Sequence, residues 1–229
     1  QLLWTKFLGT PHDDFGVSVL TLSGNKLVLA GTTHDPIFNE QILIIVADTS
    51  GIEMNRYIYG SLEVENINSV KSCPDGGYLL AGYKTNSGSN YSYVLKLDSI
   101  FNVQWEGAFG TGITDYASEA IIGNDNSIYM ASDRKVNLGG GAFDYNIAVI
   151  RTDSTGLVIW DSVYVENFQN GSQGILQSSS GNIIFYGETE IFQFSPFDYF
   201  ISAIDTNGNL LWRYTFGGSG SNALFDVIE

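Results

Sequence analysis

Two histidines, one cysteine and a scatter of acids are the residues of this sequence that could do chemistry. His12 stands in Pro11-His12-Asp13-Asp14, read as a connection between repeat units, and His34 in Thr33-His34-Asp35-Pro36, read as a loop within the first full unit. Imidazole next to carboxylate is the donor set of a metal centre, so His12, Asp13, Asp14 and Asp115 are the candidate ligands. Glu63, Glu65 and Glu166 stand in connections of the same kind, and hard oxygens of this type suit Ca²⁺. The Asp-x-Asp-x-Asp-Gly spacing of a calcium loop does not occur. Cys73, in Ser72-Cys73-Pro74-Asp75-Gly76-Gly77, closes an apolar run with no histidine beside it to activate the thiol. Gly139-Gly140-Gly141 is followed neither by Lys-Ser/Thr nor by a helical pattern, so it is not a phosphate loop. No nucleophile, base and orienting group emerge together. The expectation is a chain that is not an enzyme and holds no cofactor, with Ca²⁺ the one ion its acids would suit.

The elements that would position these residues are legible as a repeat. Trp4, Trp105, Trp160 and Trp212 each sit in a short apolar segment, and Asn55 takes the same place in Asn55-Arg56-Tyr57-Ile58-Tyr59-Gly60. The steps from Trp4 through Asn55, Trp105, Trp160 and Trp212 are 51, 50, 55 and 52 residues. An aspartate stands seven residues before each of the last four anchors: Asp48, Asp98, Asp153 and Asp205. Three of the four are followed by Gly at the third position, which is turn chemistry and assigns these acids a structural task. A small pair ends the preceding apolar run in Ala30-Gly31, Ala81-Gly82 and Ala131-Ser132, with Tyr186-Gly187 in the last copy. Between the markers lie four strand signals per copy, at 67–72, 78–82, 92–97 and 103–109 in the second. Asp75-Gly76-Gly77, Ser23-Gly24-Asn25, Asn124-Asp125-Asn126 and Ser180-Gly181-Asn182 fill the hairpin slot between the first two. The third strand is the most continuously apolar, as a strand covered on both faces must be. The expected fold is all-β: a β-propeller of four-stranded antiparallel blades, with each Trp a wedge between blades. Four blades are expected at about 10–60, 61–110, 111–165 and 166–217, with partial blades at 1–9 and 218–229. The partial blades suggest a fragment of a longer chain.

Composition narrows the partners. The formal net charge is −15 with only 10 Lys and Arg, which supplies no cationic groove for nucleic acid and no attraction to anionic membrane. The longest apolar run, 42–47, is far too short to span a bilayer. What remains is recognition by loops on a rigid scaffold. The connections between second and third strands differ most, above all residues 133–146 and 188–198. Phe38, Phe143, Phe192, Phe194 and Phe197 are the candidate binding-surface residues there, with protein or glycan as the partner.

The repeat resembles the propeller repeats of large secreted proteins of Bacteroidota, related to the quinoprotein-like repeat. That pattern runs Asp-x-x-Gly-x-x-x-Trp, Phe-Gly-Gly, Asp-Gly-Gly-Tyr and Ala-Gly. Here it is carried by Asp205 to Trp212, Phe216-Gly217-Gly218, Asp75-Gly76-Gly77-Tyr78 and Ala81-Gly82. The resemblance spans essentially the whole chain, and Asn55 and Ser132 depart from it. It implies an extracellular or cell-surface location. It brings no signal for the cofactor stack, calcium site or catalytic aspartate of quinoprotein dehydrogenases. Within such a setting Asn90-Tyr91-Ser92 and Asn170-Gly171-Ser172 are candidate N-glycosylation sites. Asp98-Ser99-Ile100, Asp153-Ser154-Thr155 and Asp161-Ser162-Val163 are candidate O-glycosylation sites. The expected function is therefore a non-enzymatic scaffold or binding propeller. The alternatives are the propeller part of a larger secreted enzyme, and a structural subunit that self-associates through its edges.

Overall fold

The computed structural model describes residues 4–140, 142–164, 169–192, 195–222, 224 and 226–228. They are organised as four sheets. The first holds β1 (Asp13–Leu22), β2 (Lys26–Asp35), β3 (Asn39–Asp48) and β4 (Glu53–Tyr59). The second holds β5 (Glu65–Ser72), β6 (Tyr78–Asn86), β7 (Ser89–Leu97) and β8 (Val103–Phe109). The third holds β9 (Asp115–Ile122), β10 (Ile128–Gly139), β11 (Ala142–Thr152) and β12 (Val158–Tyr164). The fourth holds β13 (Asn170–Gln177), β14 (Ile183–Glu190), β15 (Phe197–Ile204) and β16 (Leu210–Phe216). Every sheet is antiparallel with its strands in chain order. The chain is thus all-β, and among the described residues there is no helix, hence none long and apolar enough to cross a membrane. Four such sheets in succession are compatible with the blades of a propeller.

Local chemistry explains the elements. The hairpins joining first to second strands turn through left-handed residues, Asn25, Gly76, Asn126 and Gly181. The third-to-fourth turns are tied by the repeated aspartate. The Asp153 carboxylate, for example, accepts Thr155 N–H at 2.8 Å and Leu157 N–H at 3.0 Å. Asp48, Asp98 and Asp205 do the same for their own turns. Bonds donated by Ser50, Asn102, Thr155 and Asn209, first among several, hold these four carboxyls below the usual carboxylate range. Two expectations are corrected. Residues 133–146 are not a loop, because β10 and β11 continue as a paired hairpin to Gly139 and Ala142. His34, read as a loop residue, likewise pairs within β2.

Period-two alternation assigns each face of a middle strand to a different neighbour. On β6, Tyr78 and Leu80 join the first sheet's Val28, Ala30, Ile42 and Ile44. Leu79 and Ala81 point the other way, to Ala120, Ile128 and Met130 of the third sheet. Tyr129 and Val149 then meet Ile183, Phe185 and Phe200 of the fourth. Each fully buried large side chain contributes about 1.5–3 kcal/mol, and no sheet could bury both faces alone.

A tryptophan seals most junctions. Trp105 Nε1–H of β8 donates to the Ser154 carbonyl in the next sheet's aspartate turn at 3.0 Å. Trp160 Nε1–H donates to Thr206 O at 3.1 Å, and Trp4 Nε1–H to Thr49 O at 3.0 Å. The indole lies over the turn glycine: a Cβ on Gly51 would come within 2.9 Å of the Trp4 ring, and one on Gly156 within 3.0 Å of Trp105. The junction between the first two sheets is built differently. Asn55 replaces the tryptophan, and Phe101 replaces the turn glycine although its φ is 68°. Its ring fills the space that the indole takes elsewhere. It stacks on Tyr57 at 4.8 Å and Tyr78 at 4.7 Å, and Tyr59 Oη donates to its carbonyl at 2.7 Å. The two departures from the repeat thus fall at one and the same junction.

This pairing is testable by urea unfolding. Phe101→Gly alone is expected to cost roughly 2–4 kcal/mol, the loss of a buried ring less about 1 kcal/mol of relieved backbone strain. Asn55→Trp alone is expected to cost about 1–3 kcal/mol through overpacking. The double variant, which rebuilds the tryptophan-over-glycine joint, should be more stable than the sum of the singles by at least about 1.5 kcal/mol. Additive losses would refute the coupling.

Candidate functional site

The first strand of every sheet carries a β-bulge at the same place. The register slips between Gly16 and Ser18, Ile67 and Ser69, Ala117 and Glu119, and Ser172 and Gly174. The extra residues are Val17, Asn68, Ser118 and Gln173. A bulged residue leaves the ladder and is re-aimed. The small-pair marker has its physical reason here. A Cβ on Gly31, Gly82 or Gly187 would lie 2.0–2.1 Å from the carbonyl oxygen of Phe15, Asn66 or Gly171, just before the bulge. At these three places a side chain would force the strands apart, whereas the third sheet accommodates Ser132 at the same position.

The bulges converge on shared space. A cavity of about 260 Å³ is lined by Asn68, Tyr116, Ser118, Asp133, Ser172 and Gln173, drawn from three sheets. A second, of about 390 Å³, is bounded by first-strand residues of all four sheets, including Val17, Asn68, Glu119 and Gln173, together with Tyr186 and Asp226. Asn68 and Gln173 border both. The smaller cavity lies toward the end at which the first strands begin and the second-to-third hairpins turn.

Its walls offer hydrogen bonds and little charge. Asn68 Nδ2–H donates to Ala117 O at 2.8 Å, Ser118 Oγ–H to Ala131 O at 3.2 Å, and Asn90 Nδ2–H to Tyr116 Oη at 2.7 Å. The Ser172 hydroxyl is buried and faces the Asp133 carboxyl, which it helps to hold down, although not at ordinary hydrogen-bond geometry. Asp133 is the one carboxyl on this wall. Burial pushes it up to about 6, against the bond it accepts from Ser172 N–H. In the second cavity the acids are engaged: Glu119 with Lys71 at 2.5 Å and with Ile175 N–H, Asp226 with Val227 N–H and Tyr186 Oη–H. Burial pushes the Tyr186 phenol up to about 12.

The acids singled out from the sequence stand apart from this site and from one another. Asp14 accepts Thr10 N–H at 2.6 Å and Thr10 Oγ–H at 2.9 Å. Glu65 accepts Ser61 N–H at 3.0 Å and Oγ–H at 2.6 Å. Asp115 accepts Thr111 N–H at 2.9 Å and Arg134 Nε–H at 2.6 Å. Each ties down the connection into its own sheet. His12 Nε2 lies 3.3 Å from Asp35, while Asp13 faces His34 across β1 and β2. Among the described residues no group of three or more His, Cys, Asp or Glu is placed to hold a metal ion. Cys73 is buried, and burial pushes its thiol up to about 11, so it is not a thiolate at neutral pH. Phe38 and Phe192 are exposed at hairpin turns. Phe143 lies in β11 beneath Lys135 Nζ at 4.0 Å, and Phe197 opens β15 half-buried. Phe194 and Glu166 lie outside the described residues.

No family model and no curated protein matches the sequence. Solved structures do. A protein of unknown function from Dyadobacter fermentans superimposes with a TM-score of 0.61 at 13% identity, over 92% of this chain and 71% of that one. The endo-arabinase of Bacteroides thetaiotaomicron superimposes with a TM-score of 0.52 at 11% identity, over 90% of this chain and 81% of its own. At these identities the likeness establishes fold.

The Asp133 environment gives a pH signature. A carboxyl raised above its unfolded value stabilises fully below about 3.8 and loses that contribution as the pH rises through about 6. Asp133→Asn lacks this loss. Relative to the parent, the variant should gain roughly 1–3 kcal/mol of unfolding free energy between pH 3.5 and pH 7.5. A difference that stays flat with pH would refute the buried-carboxyl assignment.

Proposed function

We propose that the four sheets are blades of a propeller, and that the protein is a non-enzymatic extracellular or cell-surface module binding a glycan at its loop-rich face. The observation that carries this reading is a cavity walled by the amides and hydroxyls of Asn68, Tyr116, Ser118, Ser172 and Gln173. Amides and hydroxyls both donate and accept. Such a set complements the neutral hydroxyls of a sugar better than a phosphate or an ammonium group. The exposed apolar side chains of Ile37, Phe38, Leu138, Phe143 and Phe192 stand at hairpin ends on the same side, where ring faces can stack on sugar. Glycoside hydrolysis would need two carboxyls flanking one bond, and Asp133 alone lines the smaller cavity. The net charge of −15 argues against polyanionic partners.

An array of neutral and acidic oligosaccharides, followed by calorimetry, tests the proposal. Neutral glycans are expected to bind, and Gln173→Ala to weaken the best of them about tenfold, or ~1.4 kcal/mol, with unchanged melting. Release of reducing ends from the bound glycan would overturn the non-enzymatic reading. Silence across the array would overturn glycan binding and leave a protein partner as the alternative.

A further inference from the structure

The outer face of β16 repeats a joint that has no counterpart opposite it. Trp212, Tyr214 and Phe216 occupy the positions of Trp160, Ser162 and Tyr164 on β12. In β12 these side chains pack on the fourth sheet: Trp160 Nε1–H reaches Thr206 O, Tyr164 Oη–H reaches Gly208 O at 2.7 Å, and the Tyr164 ring lies 5.0 Å from Phe185. In β16 the same row is 36%, 59% and 45% exposed. Among the described residues its ring–ring contacts are with one another and with Tyr199. Among the described residues Trp212 Nε1–H meets no acceptor. Three aromatic rings in a row on an open sheet face exceed the scattered exposure expected of a finished surface.

Two neighbouring segments define the shape of the occupant. Residues 4–9 lie over the first sheet in the place of a fourth strand. Trp4 bonds Thr49 O, and with Lys6, Phe7 and Leu8 it encloses about 270 Å³ against Leu27, Leu29 and Ala47. The described residues after β16 turn back toward the sheets without forming a strand. Gly218 N–H and Asn222 Nδ2–H donate to Asp198, and Asp226 joins the second cavity beside Ser18, Ser69 and Glu119. Neither segment is paired in a ladder among the described residues, although the first takes a fourth strand's place on its sheet.

We infer that this face seats a β-hairpin of the repeat's own second-and-third-strand type, apolar on both faces and followed by an aspartate turn whose carbonyl accepts Trp212 Nε1–H. The occupant follows from continuity with the other junctions, where Thr49, Ser154 and Thr206 supply that carbonyl. The inference rests on reading the sheets as blades, and it is independent of the glycan cavity.

The probe is a synthetic peptide of residues 26–52, which carries β2, β3 and the Asp48 turn, added to the intact protein. Saturable one-to-one binding is expected, with a blue shift of tryptophan emission and slowed amide exchange across β16. Trp212→Ala should weaken binding at least tenfold while leaving the free protein's melting unchanged, because the side chain is exposed there. A peptide shown monomeric by light scattering that leaves β16 exchange unchanged would overturn the inference. So would sedimentation showing that the protein alone dimerises with Trp212 buried, which would make a second copy the occupant. Loss of glycan binding with peptide binding intact would reject the glycan reading and spare this one.

Discussion

The structure depends on one contact between sheets: an indole laid over the turn of the next sheet, its N–H on a backbone carbonyl. A four-stranded sheet whose middle strands are apolar on both faces has no stable existence by itself. It must be covered twice, and at a fixed angle and offset. Hydrophobic burial is non-directional, so packing of Ile, Val and Leu alone would tolerate sliding. The indole bond is directional, and it engages a carbonyl that the aspartate has already fixed. Carboxylate, turn and indole thus act in series to convert apolar adhesion into a defined junction. The first junction shows that the requirement is volume and a bond, not a residue type. There Phe101 supplies the ring from the turn side, and the bond that remains is Tyr59 Oη–H to its carbonyl, the counterpart of Tyr164 to Gly208.

The second constraint is the bulge. With the sheets packed about common space, each first strand crowds its neighbours. One extra residue lets it bend while keeping its flanking apolar residues in register. Ile67 and Val70 on either side of Asn68 stay buried, as do Ala117 and Ala120 around Ser118. The bulged residue has no packing duty. Val17, Asn68, Ser118 and Gln173 consequently differ in kind within one chain, while the positions around them serve the junctions. A scaffold that separates these two roles can change what its cavity offers without disturbing how its sheets stack.

Much of the fold was legible because its signals are local. Asp153 followed by Gly156 marks a turn by the chemistry of a few residues, and the apolar run 42–47 is readable as a strand covered on both faces. The site was not legible, because its signals are relations between strands. Gly82 is required by the carbonyl of Asn66, sixteen residues away in sequence, and the approach exists only after the bulge has formed. Asn68, Ser118 and Gln173 read as ordinary polar residues until the slipped register aims them at one point. Aligning the four copies places them in one column, which is the available signal. The acids misled for the complementary reason. Asp14, Glu65 and Asp115 recur at one phase, as shared ligands would, but each answers a hydroxyl and an N–H four residues earlier on its own sheet.

Position along the chain then separates the fates of identical side chains. Trp105, Trp160 and Trp212 share a strand position, yet two of them lie against a turn and the third lies open. The difference does not follow from the anchor positions, since Trp160 and Tyr164 have aromatic counterparts in Trp212 and Phe216. It comes from what stands on the far side. In a stacked repeat every unit is made with two adhesive faces, and solubility requires that terminal faces be polar or covered. The first sheet meets that demand with residues 4–9, which cover Leu27 and Leu29. The β16 face carries no polar substitution at Trp212, Tyr214 or Phe216, so the demand there is for cover.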